Sequence, residues 1–144
     1  MRAYVFLAFL FLPSLAQSLG SVPNPAAVYP LSGPVYVLAR PGTSFPPEIK
    51  ALIARAGEVR ILLDARAGQW NSSSLRNLRN ALGLPKETKV AYRLYPGYPP
   101  IVPLVLGPNW LFVPPGYFTD LIPEVGAYWK VVTDAWEKSR PVPY

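Results

Sequence analysis

The chain contains no cysteine and no histidine. Without cysteine there is no disulfide, no thiolate nucleophile and no thiolate metal ligand. Without histidine the commonest general base and the commonest metal ligand are both missing. Ser-His, Cys-His and His-metal mechanisms are therefore excluded, and enzyme chemistry would have to run on Asp, Glu, Lys, Tyr or Ser. The sequence holds no glycine-rich phosphate loop, carboxylate dyad or metal-ligand cluster, so no cofactor and no metal is expected. Charge is sparse too, at 15% of residues, yet its balance is +6. A basic balance of that size suits an anionic partner such as an envelope component, an acidic protein or nucleic acid.

Proline is abundant where these residues are scarce: 19 of 144, against an ordinary share of about 5%. The prolines gather in 23–34, in 96–115 and at the end of the chain, which should be extended loops or edges with few ladder donors. At the start, Met1-Arg2 supplies a positive charge and Ala3 to Leu12 an unbroken apolar run. Pro13 breaks that run, and Ser14-Leu15-Ala16 puts small residues where a signal peptidase cuts. Charge, apolar run and small residues arrive in the order of a secretory signal, and the run is too short to cross a hydrocarbon layer of about 30 Å. The expectation is an exported, periplasmic or extracellular protein. Its signal spans 1–16, with a second possible cut after Ser18, or else is kept as a membrane tether. A proline-rich lead-in over 17–34 and one domain over 35–140 follow.

The domain reads as an alternation. Val35–Ala39 is a short apolar strand, followed by a helix capped by Thr43 or Ser44 with Ile49, Leu52, Ile53 and Ala56 on one face. Val59–Asp64 is a second strand, near-continuously apolar as burial on both faces demands. A third segment, capped by Ser72 or Ser73 and closed by Gly83, carries Leu75, Leu78 and Leu82 at helical spacing. Lys89–Tyr95 alternates as a strand. Ile101–Leu106 and Trp110–Val113 form a hairpin around Gly107-Pro108-Asn109. From Asp120 to Ser139 runs an amphipathic helix with Leu121, Val125, Tyr128, Trp129, Val132 and Trp136 as its stripe and Asp120 as cap. The order β-α-β-α-β-β-β-α predicts an α/β fold, a layered mixed β-sheet flanked by helices.

Ligands of open α/β sheets bind beyond the carboxyl ends of the strands. Two such ends are polar. One, after the second strand, holds Asp64, Arg66, Gln69, Trp70, Asn71 and Ser72; the other, after the third, holds Arg93 and Tyr95. Together they offer a pocket for an anionic or sugar-like group. The alternative is that Ser72 caps, Arg66 pairs with Asp64 and Trp70 covers the core. An enzyme of non-histidine mechanism would use Asp64, Arg66 and Tyr95. Arg76 and Arg79, three apart on the second helix, are candidate phosphate contacts, which with Arg66 and exposed aromatics would make a salt-sensitive nucleic-acid-binding module.

Pro47 to Ala56 leading into Val59–Asp64, then Leu75–Leu82, the strand pair Ile101–Leu106 and Trp110–Val113, and Gly116-Tyr117-Phe118-Thr119 resemble one half-domain of the phospholipase D-like superfamily. The resemblance covers roughly residues 35–138 and is one of rhythm. That family's His-x-Lys…Asp signature falls here on Pro99, Ile101 and Leu106, none of which can act as nucleophile, ammonium clamp or acid. Its later Gly-Ser and Asn are replaced by Pro114-Pro115 and Gly116-Tyr117. The resemblance thus implies a non-catalytic relative with a binding or structural role, and, since single half-domains of the family pair, a homodimer.

Overall fold

Apolar runs without alternation need cover on both faces, and the two most apolar strands lie at the centre of the sheet. The computed structural model describes residues 17–18, 33–66, 70–96 and 102–143. In chain order its elements are β1 (Gln17–Ser18), β2 (Val35–Ala39), α1 (Pro47–Ala54), β3 (Glu58–Asp64), α2 (Ser72–Leu82) and β4 (Lys89–Tyr95). These are followed by β5 (Leu104–Leu106), β6 (Leu111–Val113), β7 (Tyr117–Thr119), α3 (Ile122–Lys138) and β8 (Arg140–Pro141). The eight strands form one mixed sheet in the order β1-β7-β6-β5-β2-β3-β4-β8. Strands β2, β3 and β4 are parallel, and the rest pair antiparallel.

Side chains of a strand alternate between faces, so the register sorts the core into two layers. Val35, Val37, Val59, Ile61 and Leu63 pack with Ile49, Leu52 and Ile53 of α1 and with Leu75, Leu78 and Leu82 of α2. Tyr36, Leu38 and Leu62 face the other way and meet Val125, Val132 and Ala135 of α3. Both crossover helices thus share one face of the parallel strands and α3 covers the other. The expected α/β class holds, with a mixed sheet between two helical layers.

Several expected details are corrected. Asn71, not Ser72 or Ser73, caps α2: its side chain accepts from the Ser74 amide at 2.9 Å while the Ser74 hydroxyl accepts from the Asn71 amide at 2.8 Å. Helix α1 is entered from Pro46 rather than from Thr43 or Ser44. Thr43 Oγ1 instead accepts from the Arg40 amide at 2.9 Å and closes the turn after β2. Helix α3 starts from Leu121 with proline in its first turn, so Asp120 is not its cap. Its buried stripe runs through Val125, Val132 and Ala135, with Tyr128 at the surface. The lead-in is not wholly outside the domain, because Gln17 and Ser18 pair with Phe118 and Tyr117 of β7. Strand β8 continues the sheet one residue past the expected boundary.

Helix α3 is tied to the sheet at its carboxyl end. Arg93 donates from Nε to Ser139 Oγ at 2.7 Å and from Nη2 to the Ser139 carbonyl, and lies 5.5 Å from the Trp136 ring centre. A cation among the last free carbonyls of a helix is favourably placed against its dipole. Arg60, nearer the strand starts, donates to Tyr36 Oη at 2.7 Å and to Glu58 Oε2 at 2.9 Å. Arg93→Met keeps the stem and loses these bonds. It should lower the unfolding free energy by about 1–3 kcal/mol in a urea titration.

Candidate anion-binding cleft

Asp64, the last residue of β3, organises the carboxyl ends of the parallel strands. It is buried. Its Oδ2 accepts from Arg40 Nε at 3.3 Å, its Oδ1 from the Arg66 amide at 3.0 Å, and its carbonyl from Trp70 Nε1 at 3.0 Å. The alternative in which Arg66 pairs with Asp64 is corrected in its detail. The side-chain ion pair is made by Arg40, while Arg66 contributes its backbone N–H. Arg40 was not among the expected residues, although it stands directly after β2, at a strand end equivalent to the other two.

Two depressions flank the loop that Asp64 holds. The first is a cleft of about 450 Å³ lined by Ala65, Arg66, Leu94, Pro96, Lys138 and Arg140. Three of these six carry positive charge and none negative. Lys138 is also reached from outside by Asp134 at 3.0 Å, an exposed pair of the i,i+4 kind worth little in water. Arg140 is exposed, and among the described residues its guanidinium makes no ion pair or hydrogen bond. Arg140 reaches the cleft because β8 returns antiparallel along β4, with Arg140 opposite Leu94, and Lys138 because α3 ends on it just before that return. No local signal in the sequence announces that return. The second depression is a groove of about 380 Å³ on the α1–α2 side, with Arg40 and Trp70 in its lining.

The remaining candidates divide. Arg66 and Trp70 line the two depressions, one each. Asn71 and Ser72 belong to the start of α2, where Asn71 is occupied as cap. Arg93 is committed to Ser139 and does not line the cleft. Gln69, like Pro99 and Ile101, lies outside the described residues. Leu106 is fully buried in β5, paired with Leu111 and Tyr36. Arg76 is exposed on α2 as expected. Arg79 is not on the open face: it is half-buried and donates from Nη2 to the Pro85 carbonyl at 2.9 Å, closing the loop into β4.

Tyr95 is opposite Asp64 in the ladder but buried among the residues under α3. Burial pushes its phenol above the usual tyrosine range, opposed by nearby Lys138 and assisted by Asp64 and Asp134. Tyr92 is raised by burial as well, against the pull of Arg79. A phenol made harder to ionise is poorly suited to act as a base, and the Asp64 carboxylate is already engaged. The set Asp64, Arg66 and Tyr95 therefore resembles a scaffold more than a nucleophile with its base. Both tyrosines keep their protons to higher pH when folded than when unfolded, so the folded state binds more protons above the unfolded pKa of about 10. The contribution of these two phenols to stability is constant below that value and is lost as pH rises through the folded pKa values. Urea titrations from pH 8 upward check this, and Tyr95→Phe should flatten the fall.

Fold and cleft together define a class: an α/β domain whose parallel strands end beneath a basic rim. No family model matches the chain, and no curated protein matches it in sequence. Among solved structures it is similar to TrmBL2, described as an archaeal chromatin protein with a novel mode of DNA binding. The TM-score is 0.51 at 14% identity, over 76% of this chain and 45% of that one. At that identity the likeness is one of fold, and the chain spans less than half of the length of TrmBL2.

Proposed function

We propose that this protein is an exported, non-catalytic phospholipase D-like domain that binds an anionic ligand in the cleft of Arg66, Lys138 and Arg140. The observation that carries the reading is the convergence of three cations, with no carboxylate among the described lining residues, where parallel strands end. The phospholipase D-like assignment is supported by the βαβαβ core and the β5–β6 hairpin, whose buried Leu106 stands where the family's acid would be. Export is supported by the order of residues 1–16. A cut after Ala16 would leave Gln17–Ser18 to pair with β7, whereas a cut after Ser18 would remove that strand. Intact mass of the exported protein decides between these ends.

The binding test is titration with inorganic phosphate followed by amide chemical shifts. Shifts should centre on Ala65, Arg66 and Arg140, with a Kd that rises with added chloride. Lys138→Ala together with Arg140→Ala should weaken binding by about tenfold or more, at about 1 kcal/mol or more for each charge-assisted hydrogen bond removed. Shifts spread evenly over the surface, or unchanged in the double variant, would sink the reading.

A second reading follows from the TrmBL2 likeness, with nucleic acid as the anion. Here Arg76 would add a phosphate contact beyond the cleft. A single-stranded oligonucleotide should then bind more tightly than inorganic phosphate, and log Kd should change linearly with log salt concentration. Arg76→Ala would reduce that slope, whereas it leaves phosphate binding in the cleft unchanged.

A further inference from the structure

The groove on the α1–α2 side is a second site, built differently from the cleft. Its lining includes Arg40 and Pro41 just after β2, Asn77 and Leu78 of α2, Ser44 and the Trp70 indole. Trp70 has spent its only donor, Nε1, on the Asp64 carbonyl. What it adds to the groove is ring surface. Ser44 and Asn77 are exposed, and among the described residues neither side chain is hydrogen-bonded. Thr43 and Ser74, also in the lining, are taken by the Arg40 turn and the α2 cap.

Among the described residues Arg40 is the only charged one lining the groove, and the hydrogen bond it makes to Asp64 is through Nε. Its two Nη groups remain as a fork for a planar anion. One ring surface, two open polar side chains and one guanidinium fork describe a ligand. It has an apolar face of ring size, hydroxyl groups at its edge and a single carboxylate.

We infer that this groove binds a hexuronic acid unit, with the sugar ring on Trp70, hydroxyl groups on Ser44 and Asn77, and the carboxylate on the Nη atoms of Arg40. The inference extends the anion-binding reading to a second pocket without depending on the first. A glycan with repeated acidic sugars would have a use for both.

The test follows the indole N–H resonance of Trp70, assigned by its loss in Trp70→Phe, in the full chain titrated with sodium glucuronate. Saturable movement at millimolar concentration is expected, an affinity fitting a single sugar. Methyl glucoside, which lacks the carboxylate, should bind about tenfold more weakly, and acetate, which lacks the ring, should not move the resonance. Asn77→Ala, at an exposed position, should leave folding intact and weaken glucuronate about fivefold for the hydrogen bond it removes. No movement with glucuronate at tens of millimolar, or equal binding of methyl glucoside, would overturn the assignment. Phosphate titration separates the sites: it should move cleft amides and leave the Trp70 indole in place, so either reading can fail while the other stands.

Discussion

Gly107→Ala should destabilise the fold by about 3 kcal/mol, lowering Tm by about 10 °C for a domain of this size. Gly107 lies at the start of the β5–β6 connection, where its amide donates to the Trp110 carbonyl at 2.9 Å. A methyl group there would run into Nε1 and Cε2 of Trp110, and into Cδ1 just beyond. The indole cannot step aside, because Trp110 is buried and stacked against Phe118 at 6.2 Å between ring centres, 19° from parallel. Close-packed interiors do not absorb such an overlap without shifting backbone or breaking the stack. Gly126→Ala is the contrast. Gly126 lies within α3, an added methyl there meets nothing within 4 Å, and replacing helical glycine should gain up to about 1 kcal/mol. Thermal melts of the two variants check both signs. A Gly107→Ala melt within two or three degrees of the parent would show that the hairpin has room the geometry denies it.

Asp64→Ala should cost about 2 kcal/mol and, more tellingly, loosen both depressions together. The substitution removes the Asp64 oxygen that accepts from the Arg66 amide and releases Arg40 from the carboxylate. The Trp70 bond to the Asp64 carbonyl is not deleted, but it relies on the same loop path. Asp64→Asn keeps an oxygen for the Arg66 amide and gives up the ion pair with Arg40. Since Arg40 is more than half exposed, that pair is worth little, and the Asn variant should recover most of the loss. Hydrogen exchange of the Arg66 amide, read with urea titrations, distinguishes the two: faster in Ala, close to the parent in Asn. Equal exchange in all three proteins would mean that something other than the carboxylate holds the loop.

Much of the fold was readable in local pattern. The faces of α1 and α2 came from helical spacing, the centre of the sheet from unalternating apolar runs, and the end of α2 from Gly83, which does adopt a left-handed φ of 66°. Details that depend on competition between neighbours were not readable. Asn71 outbid Ser72 and Ser73 for the cap because Ser74 sits three residues on and returns the bond. Tyr128 left the stripe because α3 is rotated to bring Ala135 down onto the sheet. The short strands β1, β7 and β8 have too few residues to show a period.

The candidate site was half readable for the same reason. Asp64, Arg66 and Trp70 announce themselves as polar and aromatic residues just after an apolar strand. Arg40, Lys138 and Arg140 do not, since each is an ordinary surface cation until the chain folds. The missing histidine and cysteine and the alternation of strands and helices are properties of the sequence alone. They determine the class of fold and the chemistries that are closed to it. Which cations share a cleft was decided only in three dimensions. There β8 returns along β4 and α3 ends over Tyr95, bringing residues more than seventy positions apart to one rim. Pattern along a chain reports what each segment buries. A binding site is made of what different segments leave exposed at the same place.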